Sequence, residues 1–162
     1  MPALSNAEMI VLRDRILAEE AELQFTSFTP EDAWNLGSQI RQAALEQGLP
    51  VAIQIRRNHA QLFYTALPGA ALDNTEWLRR KCAVVDRFEH ASMVIGLNFQ
   101  IDGKSFDVDS RLPVDGFAAH GGAFPLIARG VGVVGTIAVS GLPQIDDHNL
   151  VVEQVRAFLA QR

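Results

Sequence analysis

A histidine followed by two glycines is the strongest candidate for a ligand-binding site in this sequence. The segment Ala118-Ala-His-Gly-Gly-Ala-Phe-Pro125 sets the His120 imidazole beside Gly121 and Gly122. Because the glycines carry no side chains, they leave the imidazole unshielded and their backbone amides open to an approaching molecule. The loop-like residues 102–119 would present this imidazole. A histidine that only caps the loop is the other interpretation, and the sequence leaves both open.

Three consecutive cations, Arg79, Arg80 and Lys81, form a second candidate. They fall within a predicted helix rather than in a flexible tail. An exposed, solvated helix face is one interpretation of this run. Recognition of a carboxylate or another anion is the alternative, because the guanidinium group matches the geometry of such ligands. We therefore include all three residues among the candidate ligand-binding residues.

The segment from Ser140 to His148 contains the residue types of a hydrolase triad, since Asp146 and Asp147 lie between them. Residues 138–142 lack the G-x-S-x-G pattern that exposes a nucleophile on a strained turn. The serine is better explained as part of a loop that leads into the last helix, with the two acids in the favourable first turn of that helix. No catalytic residue is assigned, and Ser140 and His148 are retained as candidate ligand-binding residues.

Two further patterns do not predict a cofactor site. Gly130-Val-Gly-Val-Val-Gly135 matches the letters of a dinucleotide-binding fingerprint, but strand-forming residues follow it where a helix would have to begin. We therefore expect NAD(P) and FAD not to bind, and the glycines to let a crowded strand approach a neighbour closely. The four histidines lack the spacing of zinc ligands, and the single cysteine cannot build a cysteine-rich site, so no metal site is predicted.

Composition places the chain among ordinary globular proteins. It has 162 residues, 48 % of them hydrophobic, and a formal net charge of −5 with 14 Lys and Arg against 19 Asp and Glu. This net negative charge gives no sign of the clustered cations on which nucleic-acid binding normally rests, so nucleic acid is not an expected partner. The longest apolar stretch, Gly130–Val139, is too short to cross a membrane, and no signal peptide is apparent at the beginning of the sequence. We expect a cytoplasmic protein that forms a single domain over residues 1–162.

Capping residues predict the first two helices. Ser5 followed by Glu8 forms a capping-box pattern ahead of apolar residues at helical spacing, and residues 1–21 are expected to form an N-terminal helical arm. Thr29-Pro30-Glu31-Asp32 combines a capping hydroxyl, a proline at the first helical position and acids that favour the helix N-terminus. The helix that begins there should end at Gly48.

Two more helices are predicted later in the chain. Asn74 is expected to cap a helix in which the cations lie mostly off the buried stripe, and that stripe comprises Trp77, Leu78, Cys82, Val85 and Phe88. Residues 144–159 form an amphipathic pattern that closes the chain.

Segments rich in β-formers predict an antiparallel sheet. Two hairpins are indicated, formed by residues 50–56 with 61–67 and by residues 124–128 with 131–139. Residues 22–28 could add a brief strand. Hairpin connections rather than long crossovers favour an α+β fold, with a doubly wound parallel sheet as the weaker alternative.

Several segments together resemble one known family. They are Glu22-Leu-Gln-Phe, Glu31-Asp-Ala-Trp-Asn-Leu-Gly, Leu49-Pro-Val-Ala-Ile-Gln-Ile, Gln61-Leu-Phe-Tyr-Thr-Ala-Leu-Pro-Gly, Asn74-Thr-Glu-Trp-Leu-Arg-Arg-Lys, Ala119-His-Gly-Gly-Ala-Phe-Pro and Gly135-Thr-Ile-Ala-Val-Ser-Gly-Leu-Pro-Gln-Ile-Asp-Asp-His. They resemble a family related to the haem-binding and haem-degrading domain proteins, the HbpS-like or GlcG-like group. The resemblance extends from about residue 20 to residue 160.

This resemblance implies a profilin-like α/β/α sandwich around a five-stranded antiparallel sheet. It also implies a helix over residues 91–101. By themselves these residues leave two interpretations open, because Met93, Ile95, Leu97, Phe99 and Ile101 alternate as a strand would, while Ser92 could equally cap a helix. Relatives in the wider group form homo-oligomers, and some bind haem or are named for its degradation. The glycine-rich strand at residues 130–139 could pack at an interface between subunits. A fold does not determine a function, and no haem attachment motif is present.

The sequence and the resemblance together favour a homo-oligomeric small-molecule binding protein. If the ligand is haem, His120 or His148 could bind iron and Arg80 or Lys81 could pair with a propionate. If it is a small carboxylate, the same cations and the glycine amides would bind it without a metal. The alternative is an oligomeric scaffold or adaptor protein without catalytic activity.

Overall fold

The computed structural model of the chain describes residues 2–162. Helices flank a single sheet, in the order α1 (Asn6–Glu22), α2 (Pro30–Glu46), β1 (Ala52–Arg57), β2 (Ala60–Ala66), α3 (Leu72–Phe88), α4 (Ser92–Ile101), α5 (Phe106–Asp109), β3 (Ala123–Ala128), β4 (Gly132–Ser140) and α6 (Gln144–Ala160). Both predicted hairpins are present, and the loop that was expected over residues 102–119 contains the short helix α5.

The predicted capping boxes position α1 and α2. The Ser5 hydroxyl accepts a hydrogen bond from the Glu8 amide, and Thr29 makes the same contact with Asp32. The prediction for α3 was wrong by three residues. Its N-cap is Ala71, and the Asn74 side chain accepts a hydrogen bond from the Ala71 amide at 2.8 Å. Asn74 is therefore the third residue of the helix, and its side chain bonds back to the N-cap amide as in a capping box. A sequence pattern that looks for an N-cap residue takes this asparagine for the start of the helix.

The sheet is antiparallel, as predicted, but it has four strands and not five. Its order is β2-β1-β4-β3 across the described residues. The expected extra strand is reduced to an isolated bridge, in which Phe25 pairs in parallel with Ala128 beside β3. The Phe25 amide donates to Ile127, and its carbonyl accepts from the Arg129 amide. Only this residue pairs, because α2 begins at Pro30 and draws the chain away from the sheet edge.

The two faces of the sheet carry side chains of different size. Small residues, Ala52, Ala123 and Ala138, face Leu78, Cys82 and Val85 of α3. The opposite face carries large apolar side chains that pack against α2 and α6, and these include Ile53, Ile55, Phe124, Leu126, Ile137 and Val139. Helices therefore cover both faces of the sheet. Because these alanine side chains are small, α3 packs closely against this face of the sheet and contacts β4.

Residues 92–101 form α4, as the resemblance implied, and the strand suggested by their alternation is absent. Residues Ser92–Leu97 are all buried, between α1, α3, α6 and the sheet. A helix buried on every side needs no polar stripe, so its sequence loses the 3.6-residue period. The N-terminal helix α1 packs against α4 through buried Ile16, so residues 6–21 lie against the body of the protein.

The glycine-rich motif spans the turn between β3 and β4 and the first residues of β4, a central strand of the sheet. No helix follows its glycines, since the strand continues to Ser140. A side chain at Gly135 would collide with the Arg56 carbonyl in β1, so this glycine permits close strand pairing. A central strand has no free edge to offer a second subunit. None of the helices in residues 2–162 combines the length and apolar character needed to cross a bilayer.

Candidate functional site

A polar cleft of about 290 Å³ lies where the first half of α3 faces the loop before β3 and the turn from β4 to α6. Three chain segments that are distant in sequence meet at this cleft. The lining residues are Asp73, Asn74, Trp77, Lys81, His120, Ser140, Gly141, Leu142, Gln144 and Asp147. Of the sequence candidates, the cleft brings together Lys81, His120 and Ser140.

The floor of the cleft is an ion pair between α3 and α6. Lys81 is only 3 % exposed and Asp147 only 1 %. The Lys81 Nζ donates to Asp147 Oδ2 at 3.0 Å and to the Val139 carbonyl at 3.3 Å. An ammonium group has three donors, and within residues 2–162 the third has no protein acceptor. Lys81 therefore has a charged N–H group that is almost fully buried and donates to no acceptor within residues 2–162.

Asp147 is held in place by the backbone as well as by Lys81. Its Oδ1 accepts from the Leu142 amide at 3.0 Å and its Oδ2 from the Gly141 amide at 3.3 Å. The residue lies in the first turn of α6, where the helix dipole favours a negative charge. These contacts orient the carboxylate, and the carboxylate in turn positions the Lys81 ammonium.

Burial dominates the ionisation of both partners. It lowers the pKa of Lys81, and Asp147 opposes that shift through its charge and hydrogen bond. It raises the pKa of Asp147, and the Lys81 ammonium opposes that shift in the same way. The two pKa values are therefore drawn towards each other. A proton can pass between the paired atoms more readily than between an exposed lysine and an exposed aspartate.

His120 stands at the edge of the cleft with its ring against Trp77. The two ring centroids are 5.3 Å apart and the rings are perpendicular. The pKa of the imidazole is lowered, chiefly by desolvation; Asp107 opposes this shift, and the Lys81 and Arg80 cations reinforce it. The lowered pKa favours a neutral ring that can accept or donate a hydrogen bond at neutral pH.

The two glycines after His120 make close backbone contacts and do not line the cleft. The Gly121 amide donates to Gln144 Oε1 at 3.1 Å, so it is not free for a ligand. Gly122 has a φ of +130°, and a Cβ there would collide with the Val139 carbonyl and lie 2.7 Å from Lys81 Nζ. Gly122 therefore leaves room for the lysine head group.

Only one of the three consecutive cations faces the cleft. Arg79 is exposed and donates to the Asp115 carbonyl at 2.8 Å. Arg80 donates to the Val114 carbonyl at 3.3 Å and lies over the Trp77 ring at 4.2 Å from its centroid. Both arginines tie α3 to the loop before β3. The helical rotation between adjacent residues turns Lys81 inward.

His148 is fully buried and lies outside the cleft. Its Nε2 is 2.8 Å from Glu19 Oε2 in α1, and its ring packs at 6.1 Å from the Phe124 ring. Its Nδ1 has no hydrogen-bond partner among the described residues. This histidine joins α6 to α1 and does not reach the space where a ligand would lie.

The sequence did not single out several lining residues as site residues. Asp73 and Gln144 carry no motif, and Trp77 was assigned to the buried stripe of α3. Asp147 was considered as a possible triad acid and for its place in the first turn of the last helix, but not as a ligand-binding residue. The one signal that could have found it is an acid in the first turn of the helix that follows the Gly141 turn, since a glycine turn leaves backbone amides free to bind a carboxylate. Within residues 2–162, no three His, Cys, Asp or Glu side chains are grouped to hold a metal ion.

Comparison with known sequences identifies the family. The family profile described as "Haem degrading protein HbpS-like" matches residues 28–156. A UPF0303 protein of Streptomyces coelicolor is 50 % identical over 143 residues, which cover 88 % of this chain and 90 % of the relative. The segment matched by the family profile includes α3, the loop that carries His120 and the start of α6.

Solved structures share the fold. The Ybr137w protein superimposes with a TM-score of 0.85 at 30 % identity, covering 99 % of this chain and 98 % of its own. A PduOC:Heme complex superimposes with a TM-score of 0.68 at 19 % identity, covering 81 % of this chain and 94 % of its own. The second likeness concerns the fold alone. The shared fold agrees with the family profile that matches residues 28–156. The chain therefore belongs to the HbpS-like family.

Proposed function

We propose that the cleft binds a small carboxylic acid. The observation that carries this proposal is the Lys81 ammonium, which is 3 % exposed, lines the cleft and has one N–H without a protein acceptor. A carboxylate oxygen is the natural partner for this donor, because a charge-assisted hydrogen bond is strongest in a site with little water. His120 and Ser140 add polar contacts for a second group on the ligand.

The charges around the cleft favour an acid with a single carboxylate. Lys81 is the one cation that lines it, whereas Asp73 and Asp147 are both acidic. Asp73 is exposed at the rim, where it would repel a second negative charge on the ligand. Dicarboxylates and phosphate esters are therefore disfavoured. A monocarboxylate with a hydroxyl or carbonyl group matches the lining better.

Haem does not fit this cleft. His120 could supply an imidazole to iron. A porphyrin, however, has large apolar faces that need apolar walls, and this cleft offers only Trp77 and Leu142 among five charged or amide side chains, a histidine, a serine and a glycine. Its volume of about 290 Å³ also lies just below the usual range for ligand pockets, which begins at about 300 Å³. The residues present support a small polar ligand instead.

Calorimetric titration with acetate, lactate and pyruvate tests the proposal. We expect saturable binding of at least one acid to the wild-type chain, and affinity lower by about tenfold to 100-fold in Lys81→Met, since a hydrogen bond to a charged group contributes about 1.5–3 kcal/mol. Lys104→Met removes an exposed cation outside the cleft and should leave affinity unchanged. Absence of binding by all three acids, with tight binding of hemin, would overturn the proposal. Absence of all binding would favour the scaffold or adaptor interpretation.

His120→Ala is expected to weaken binding of the same acid by at least about tenfold, or roughly 1.4 kcal/mol. The reason is that the imidazole lines the cleft, while its ring makes no contact that the sheet needs. His59→Ala is the matched control, because His59 lies in the β1–β2 turn with an exposed ring. Equal affinity of the His120 variant and the wild type, at unchanged melting temperature, would remove His120 from the site.

We further propose that the chain self-associates through the N-terminal face of α1. An apolar concavity of about 420 Å³ lies there, and its lining includes Leu4, Ala7, Val11 and Leu12. Val11 is 70 % exposed, which is unusual for a large apolar residue beside others. Light scattering should return a mass above the 17.7 kDa of one chain, and Val11→Glu should reduce it. A wild-type mass of one chain at micromolar concentration would contradict this proposal.

A further inference from the structure

Lysine is rare in this chain, and its placement is informative. Of the 14 lysine and arginine residues, only Lys81 and Lys104 are lysines. Lys104 is exposed in the loop after α4, whereas Lys81 is buried in the cleft. Arginine is the usual choice for a buried ion pair, since its planar head group keeps its charge and can bond a carboxylate twice. A chain that uses arginine almost everywhere else places a primary amine at this one buried site.

We propose that Lys81 forms an imine with an α-oxo acid bound in the cleft. This inference rests on the carboxylate-binding function proposed above and narrows the ligand class. In an α-oxo acid the carbonyl carbon is directly bonded to the carboxylate carbon. A lysine that pairs with the carboxylate therefore already lies beside the carbon that it would attack.

Asp147 is placed to move the protons that this condensation requires. The Lys81 ammonium first gives a proton to Asp147 Oδ2, the atom 3.0 Å away. The free amine attacks the carbonyl carbon, the C=O π bond breaks, and the oxygen takes the proton back from Asp147. Asp147 then carries a second proton from nitrogen to that oxygen, which leaves as water. One carbonyl group and one ammonium become one protonated imine and one water, so atoms and charge balance without an oxidant or reductant.

The surroundings of Nζ suit this chemistry. Gly122 leaves open the space that a Cβ would occupy 2.7 Å from Nζ. Burial lowers the pKa of Lys81 and raises that of Asp147, and both shifts favour the first proton transfer. Ser140 lines the cleft beside the pair, where its hydroxyl can donate to the developing alkoxide. The Lys81–Asp147 ion pair also links α3 to α6. The competing explanation is therefore that this pair only stabilises the fold.

Trapping with sodium cyanoborohydride separates these explanations. The folded wild-type chain is incubated with pyruvate and the reductant, and intact mass and peptide masses are measured. We expect one adduct, heavier than the chain by pyruvic acid less one oxygen atom, located on the peptide that contains Lys81. Lys104→Arg should give the same adduct. Lys81→Arg, which preserves a cation beside Asp147, should give none.

The outcomes distinguish this inference from the proposed function. Calorimetric binding of pyruvate without an adduct on Lys81 would overturn the imine and leave carboxylate binding in place. An adduct that forms equally on Lys104, or that persists in Lys81→Arg, would show unselective amine chemistry and would also overturn it. Failure of both binding and trapping would reject the inference together with the proposed function. Propionate, which has no carbonyl group, should compete with pyruvate and suppress the adduct.

Discussion

Lys81→Met is expected to lower the free energy of unfolding by about 3–5 kcal/mol, because it leaves the Asp147 carboxylate buried without its counter-ion. Asp147→Asn should cost a similar amount, since it leaves the ammonium unpaired while the amide oxygen can still accept from the Gly141 and Leu142 amides. Urea denaturation at neutral pH measures both changes. Loss of less than about 1 kcal/mol in either variant would mean that water or a local shift solvates the remaining charge.

The double variant Lys81→Met/Asp147→Asn is expected to recover this loss in full and to be at least as stable as the wild type at neutral pH. The raised pKa of Asp147 contributes stability that is fully present below its ordinary value of 3.8 and is lost as pH rises through the folded value. The lowered pKa of Lys81 contributes stability that is fully present above its ordinary value of 10.5 and is lost as pH falls through the folded value. Between these limits, burial of the ion pair costs stability.

This thermodynamic cycle also tests whether the pair has a role beyond the fold. A neutral double variant that is as stable as the wild type, yet no longer binds a carboxylate, would show that the ionic pair is retained for its ligand. A double variant no more stable than either single variant would instead show that the pair stabilises the fold by itself. The coupling energy is the deviation of the double variant from the sum of the single changes.

Gly122→Ala is expected to lower the free energy of unfolding by about 3 kcal/mol and to abolish carboxylate binding. The backbone at Gly122 has a φ of +130°, which costs an L-residue about 1–3 kcal/mol, and the new methyl group would collide with Val139 and displace Lys81 Nζ. Gly130→Ala is the matched control. Gly130 also has a positive φ, of +77°, but open space surrounds its Cβ position.

The control should lose only about 1 kcal/mol and should keep its affinity. Thermal melts and the same titration compare the two variants. Equal losses of stability would show that strain in the backbone, rather than the collision, determines the cost. Unchanged affinity in a folded Gly122 variant would mean that the lysine head group tolerates displacement.

Local interactions explain the elements that sequence patterns predicted. The capping boxes at Ser5 and Thr29 act between residues three apart, and the hairpin turns join adjacent strands, so neither depends on distant parts of the chain. Local patterns misled where tertiary contacts override them. The alternation in α4 suggested a strand because Ser92–Leu97 are buried and show no helical period, although the family resemblance implied the helix that is present. The strand expected over residues 22–28 is reduced to the single bridge at Phe25.

The sequence by itself determined the family, the antiparallel sheet and three of the residues that line the cleft: Lys81, His120 and Ser140. Only the tertiary structure decided how those residues are used. Neighbouring side chains on a helix point about 100° apart, so packing of α3 on the sheet turned Lys81 inward and left Arg79 outside. The partner of Lys81 lies 66 residues away, and His148 is drawn into the core by Glu19 at a separation of 129 residues. Such pairings depend on how helices dock, and no local spacing encodes them.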